Sequence, residues 1–224
     1  MPRINTDGHG WCYVGMDLGQ AKDHSAVAIV ECAEVLGAWD AVMYAQRKHV
    51  EFRLRHLERM TLGTPYPAQA ERVAKITRSG ELAGRCTLVL DATGVGRPVV
   101  DLVKRERPGC LLMPVNITSG ASETRTDGYY GVPKRDLVTG LQVLLQSGGL
   151  QIAAGIPYGA ALVEEMAEMR AKVTPAGNMQ FGAWREGTHD DLVLAVALAC
   201  WAARRRYPQG RCGAAWEGRQ GRLV

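Results

Sequence analysis

Four carboxylates in this chain stand at positions where chemistry is worth considering. Asp17 closes the apolar run "WCYVGMD" and Asp91 closes "CTLVLD". Asp190 and Asp191 open "HDDLVLAVALACWAARRR", which carries no charge from Leu192 to Ala203. Carboxylates brought within a few ångströms of one another repel, and they persist together where cations neutralise them. Oxygen donors with no cysteine pair beside them select Mg²⁺ or Mn²⁺ over zinc. Two such ions, about 4 Å apart, activate water and stabilise the leaving oxygen when a phosphodiester is cleaved.

The last pair also has a plainer reading. Thr188 can cap a helix, Asp190 and Asp191 suit the positive end of its dipole, and Arg204, Arg205 and Arg206 suit the negative end. The choice between the two readings depends on whether the fold brings Asp17 and Asp91 to the same place.

The elements can be read from apolar period and turn residues. Trp11–Asp17, Ser25–Glu31 and Trp39–Gln46 read as three strands with short connections, hence an antiparallel meander. Helical spacing follows over Val50–Met60 and Pro67–Ser79. Cys86–Asp91 and Cys110–Val115 are continuous apolar runs, as expected of strands buried on both faces, with a helix over Pro98–Arg105 between them. A polar loop over Asn116–Gly131 leads to a helix over Lys134–Ser147. A short strand over Leu150–Ala153, a helix over Pro157–Ala171, a hairpin in "KVTPAGNMQFGAW" and the final helix complete the chain.

The order predicts an α/β domain, a mixed five-stranded sheet with helices on both faces. Strands of such a sheet present their carboxyl ends at one edge, and a helix packed across it brings its N-terminus there. The expected organisation is one domain over residues 1–206 and a flexible basic tail over 207–224, rich in Gly and Arg.

Composition narrows the class. The formal net charge is +4, yet six arginines against one glutamate follow from Arg204 onward, so the excess positive charge sits at the C-terminal end, in the last turn of the final helix and the tail, and suits a polyanionic partner. The six cysteines form no CxxC pair and fall mostly in apolar runs, as reduced thiols do. No apolar stretch reaches the length of a membrane span, and no signal-peptide core precedes the first strand. A cytoplasmic protein without a membrane partner is expected. "ATGVGRP" lacks the third glycine of a dinucleotide loop, Val99 standing there, and there is no GxxxxGK[ST] for ATP.

"VGMDLGQAKDHSAVAIV", "LVLDATGVGRPVVDLV", "VPKRDLVTGLQVLLQSGGLQI" and "HDDLVLAVALA" together resemble the nuclease domain of phage large terminase subunits, within the ribonuclease H-like superfamily. The resemblance runs from Tyr13 to Ala203 in motif order. It implies a two-metal endonuclease that cleaves double-stranded DNA during genome packaging, using two Mg²⁺ or Mn²⁺ ions. Asp17 and Asp91 then match the first two metal-binding carboxylates, and the "HDD" pair supplies the third. Asp191 is favoured, with Asp190 as neighbouring ligand or cap, and His189 reads as a packing or phosphate-facing residue. Lys134 and Arg135 match a basic pair facing a phosphate backbone, and Arg204, Arg205 and Arg206 add sequence-independent affinity for DNA. With no P-loop, the chain is expected to be an excised domain, a split gene product or a stand-alone relative. Its partners would be a separate packaging ATPase, a small terminase subunit and a portal, in the host cytoplasm if the chain is viral. A Holliday-junction resolvase, or a DNA-binding or docking module of little activity, is the alternative.

Overall fold

The computed structural model describes residues 10–19, 23–94, 96–173, 179–182 and 189–206. β1 (Trp11–Asp17) lies at the centre of the sheet, antiparallel to β2 (Ala26–Asp40) and parallel to β4 (Cys86–Asp91). β3 (Ala45–Arg59) returns along β2, and β5 (Leu111–Thr118) follows β4 in parallel after helix α2 (Gly96–Arg105). These five strands are the expected core. β6 (Thr124–Thr126) and β7 (Tyr129–Pro133) extend one edge and β8 (Leu150–Ile152) the other, giving an eight-stranded sheet in the order β6-β7-β5-β4-β1-β2-β3-β8.

Two helical layers cover this sheet. α1 (Tyr66–Thr77) and α2 pack on one face, over Val14, Met16, Ile29, Leu88 and Leu90. On the other face α5 (Asp191–Arg206) crosses β1 and β2, flanked by α3 (Lys134–Gln146) and α4 (Gly159–Glu168). α5 is buried at every residue from Asp191 to Ala203, which explains its apolar composition on all sides. β9 (Arg170–Val173) and β10 (Met179–Gly182) form the expected hairpin as a separate two-stranded sheet; its turn lies outside the described residues, as do Thr188 and the tail from Tyr207.

α5 reaches the sheet because β1 carries Gly15. A Cβ on Gly15 would stand 2.0 Å from the Ala195 carbonyl oxygen and 2.8 Å from the Ala199 nitrogen, both backbone atoms of α5. Helix and strand backbones therefore meet directly, through small residues one helical turn apart. We expect Gly15→Ala to push α5 off the sheet and destabilise the fold by about 3 kcal/mol or more. A urea unfolding midpoint within error of wild type would contradict this.

Three expectations are corrected by the structure. Val50–Met60 is strand β3 rather than a helix. The stretch Trp39–Gln46 is not a strand of its own but the end of β2, a turn and the start of β3. Within that turn the Asp40 carboxylate accepts the Val42 and Met43 N–H groups at 3.0 and 3.1 Å. The loop over Asn116–Gly131 contains hairpin β6–β7, whose turn residues Asp127 and Gly128 have φ of 52° and 82°. Positive φ at both central positions is the geometry that Asp-Gly favours. Cys12, Cys32, Cys86 and Cys200 are buried free thiols.

Candidate active site

One transverse row of the sheet assembles the site. Asp17 pairs across to Ala26, Ala26 pairs to Arg59, and the parallel register Met16↔Leu90 sets Asp91 level with Asp17. Side chains alternate along a strand, so Asp17 shares the face of Tyr13, Asp91 that of Val89 and Arg59 that of Leu57. Those three residues all belong to the core beneath α5. Asp17, Asp91 and Arg59 therefore point to the side of the sheet on which α5 begins.

Asp17 and Asp91 are each only 8% exposed. Burial first, and then Asp91 at hydrogen-bonding range, raise the Asp17 carboxyl well above the ordinary range; Asp190 and Asp191 add to the effect. Asp91 is also raised, mainly by burial, although its hydrogen bonds with Thr93 and Asp17 and the Lys134 charge act the other way. Thr93 donates to Asp91 Oδ1 from its N–H at 2.8 Å and its hydroxyl at 2.5 Å.

The mouth of α5 is built by residues that the sequence reading did not single out. Asp190 precedes the helix and its carbonyl accepts the Leu194 N–H at 2.9 Å, which is the cap position. Its side chain does not cap, however. Glu165 of α4 takes that role, its Oε2 accepting the Leu192 and Val193 N–H groups at 3.1 and 3.2 Å. The Asp190 carboxylate is instead held by Lys134, with Nζ 2.6 Å from Oδ2. Asp191 is 3% exposed and gripped through both oxygens by Arg59, at 2.8 Å from Nε and 3.3 Å from Nη2. Arg59 also pairs with Glu165, so β3, α4 and α5 are joined by one Arg–carboxylate clamp.

The expected residues separate into two groups. Asp17, Asp91, Lys134, Asp190 and Asp191 gather at this end of the sheet. Arg135 turns away, to Asp136 at 3.2 Å and the Ala121 carbonyl at 3.2 Å. Arg204, Arg205 and Arg206 lie at the far end of α5, roughly 22 Å along its axis. There Arg205 pairs with Glu123 and Arg206 stacks over Trp11. His189 meets His24 edge-on, with ring centroids 5.3 Å apart, and a ring nitrogen of His24 lies 3.0 Å from the Met60 carbonyl.

Buried hard oxygen donors of like charge suit a divalent metal ion. Among the described residues, though, no three His, Cys, Asp or Glu side chains stand together at ligating distance. Asp190 and Asp191 are paired with Lys134 and Arg59 instead.

Glu165 supplies a pH prediction. Burial first, then the Asp191 charge, raise its carboxyl from the ordinary 4.5 to about 7, against the opposing pull of the Val193 and Leu192 N–H groups and Arg59. A carboxyl raised on folding keeps its proton in the native state while the unfolded chain has lost it, so stability falls as pH rises. For Glu165 the fall begins near pH 4.5, is complete near pH 7, and amounts to at most about 3 kcal/mol. In chelator, Glu165→Gln should flatten that part of the curve of unfolding free energy against pH; a slope unchanged between those limits would assign it to other groups.

Several solved structures share this fold. At 22% identity and a TM-score of 0.60, the chain matches the large terminase nuclease of thermophilic phage G20c, with 85% of this chain and 81% of that one covered. The fold is that of a large terminase nuclease domain. It is ribonuclease H-like, as expected. The nuclease domain of Thermus phage P74-26 matches at 20% identity and a TM-score of 0.56, covering 85% and 78% of the two chains. A mutant nuclease domain from the large terminase subunit of bacterial virus Sf6, solved with manganese and beta-thujaplicinol, matches at 13% and 0.56, covering 87% and 89%. The phage G20c nuclease is also known with bound magnesium. No protein-family model matches the chain. No curated protein matches it either. No helix among the described residues is long and apolar enough to cross a membrane.

Proposed function

We propose that this chain is a metal-dependent endonuclease domain that hydrolyses double-stranded DNA, as in viral genome packaging. The observation that carries the reading is the Asp17–Asp91 pair: two buried carboxylates at the ends of neighbouring parallel strands, held within hydrogen-bonding range and both raised in pKa. A fold gains nothing in stability from such a pair, because burial and like charge both work against it. Sites that use paired carboxylates are where such an arrangement is retained. The likeness to terminase nucleases, among them structures with magnesium and with manganese, supports the same reading.

Asp17 and Asp91 would hold the metal, with Asp190 as the third ligand rather than Asp191. Both act on the Asp17 charge and both are spared from capping by Glu165, but Asp190 is the more accessible of the two and its partner Lys134 is partly exposed. Asp191 is committed to Arg59 and serves to lock α5 in place. When bound, two Mg²⁺ or Mn²⁺ ions would supply a nucleophile from water at neutral pH and stabilise the departing 3′ oxygen. The chain's own residues do the rest. Lys134 balances Asp190 until it is needed, and its ammonium is then available to a phosphate oxygen. Thr93 orients Asp91, and Gly15 lets α5 approach closely enough to bring Asp190 to the pair.

On this reading the substrate is double-stranded DNA and the partners are a packaging ATPase, a small terminase subunit and a portal. Plasmid DNA incubated with the purified protein should be nicked or linearised in Mn²⁺ or Mg²⁺ and left intact in EDTA. Equal cleavage with and without chelator would defeat the metal-dependent reading, and no cleavage under any condition would leave a DNA-binding module.

A further inference from the structure

The β2–β3 ribbon continues past everything described that covers the rest of the sheet. Trp11↔Cys32 is the last pair between β1 and β2, and Phe52↔Leu150 the first between β3 and β8. Beyond them, Ala33–Asp40 and Ala45–Glu51 pair with each other. Eight strand residues make an arm of roughly 25 Å. A two-stranded ribbon is marginally stable in water by itself.

The arm is amphipathic, and a bulge makes it so. Leu36 pairs with Lys48 and Trp39 with Gln46, the register shifting between them. Positions 46, 48 and 50 of β3 alternate onto one face, which puts the partners Leu36 and Trp39 there together although they are three apart. It is also the face of Val50 and Phe52, which in the body of the sheet belong to the core beneath α5. Tyr44 stands edge-on to Trp39, with ring centroids 6.5 Å apart. Val42 and Met43 occupy the tip, and exposures run from 59% at Leu36 to 88% at Val42. The opposite face carries the paired ions, Arg47 with Asp40 at 3.0 Å and His49 and Arg53 with Glu51 at 3.2 and 2.7 Å, with Ala33, Val35 and Ala45 among them. Glu34, opposite Val50, stands at the base of the apolar face.

Two considerations fix what the apolar face is for. From Ala33 to Glu51 the charged residues are Glu34, Asp40 and Glu51 against Arg47 and Lys48, and Arg47 pairs with Asp40. The excess of cations that a nucleic-acid surface needs is missing. The five exposed side chains Leu36, Trp39, Val42, Met43 and Tyr44 present roughly 600 Å² of apolar surface, at the upper end of what a monomer leaves open. Two such faces together bury about 1,200 Å², which reaches the range of specific interfaces.

We propose that this face is a homodimer interface, in which the arms of two copies pack face to face about a twofold axis. An isologous contact sets the patch of Leu36, Trp39 and Tyr44 on one copy against the same patch on the other and leaves the Arg47–Asp40 and His49–Glu51 pairs of both in water. The inference is independent of the nuclease reading, because it uses none of the residues of the site.

Sedimentation of the full chain across the micromolar range tests it. Wild type should pass from monomer to dimer, and Trp39→Ser combined with Tyr44→Ser should weaken association by about a hundredfold. The melting temperature should stay where it was, since neither side chain is packed in the body. Monomer throughout the range would overturn the proposal, as would a double variant that dimerises like wild type. Flotation with neutral phosphatidylcholine vesicles covers the remaining case. Vesicle binding by a monomeric wild type, lost in the double variant, would give the face to a lipid surface and likewise overturn the dimer.

Discussion

Asp17→Asn and Asp91→Asn should each abolish metal-dependent cleavage, by about a thousandfold or more, equivalent to roughly 4 kcal/mol of transition-state stabilisation. Both side chains are buried and coupled to one another, so neither loss can be made good by a neighbour. The informative half of the prediction is stability. In chelator at neutral pH, wild type bears the cost of a carboxyl whose native pKa is raised by burial and by a second carboxyl. Such a group costs stability above its unfolded pKa, and an amide, with no charge to desolvate, removes the cost. The Asn variants should therefore melt at or above the wild-type temperature in EDTA. Added Mn²⁺ should raise the melting temperature of wild type, as any ligand of the native state does, and raise that of the variants far less. A variant that melts well below wild type in EDTA would give the residue a structural role. Full activity with a normal metal response would remove it from the site.

Much of this site was legible in the sequence because strand ends are. "WCYVGMD" and "CTLVLD" each stop at an aspartate, and two strands that both abut the sheet centre bring those ends level. α5 announced itself through an uncharged run that only burial on every side explains. β3 was hidden by a bulge. Val50, Phe52 and Leu54 alternate with charged residues, a strand period, but the register shift opposite Ile29 and Val30 leaves Arg55 over. The next inward residue is then Leu57, and the spacing from Leu54 to Leu57 imitates a helical turn. With β3 misread, Arg59 could not be seen at the end of a strand facing Asp191. Glu165 was invisible for another reason. Its function is to cap a helix that begins 26 residues later, and only the packing of α4 on α5 creates that contact. The edge hairpin β6–β7 did carry a local signal in Asp127-Gly128, set in a stretch otherwise polar enough to pass for a loop.

Asp190 and Asp191 should separate when each is replaced by asparagine, and they should separate in opposite directions for activity and stability. A first-turn aspartate pair reads as helix grammar in sequence, yet neither side chain caps α5, because Glu165 accepts the Leu192 and Val193 N–H groups. The pair is therefore free for other work, and the two members differ in their partners. Asp190 faces Lys134, a quarter-exposed side chain that can move. Asp191 faces Arg59, which is anchored by Glu165 and largely enclosed. Asp190→Asn should cost several orders of magnitude in cleavage and little in melting temperature, since it removes half of a partly exposed ion pair. Asp191→Asn leaves the Arg59 charge short of a partner in a buried clamp, which costs about 3 kcal/mol. It should lower the melting temperature by many degrees. Its cleavage, measured well below that melting point at saturating Mn²⁺, should fall less than that of Asp190→Asn, because a looser α5 misplaces a ligand without deleting it. Thermal melts and initial rates on both variants decide the matter. If Asp191→Asn is inactive with an unshifted melting temperature, while Asp190→Asn cuts normally, then Asp191 is the ligand and Arg59 is the cation that yields to the metal.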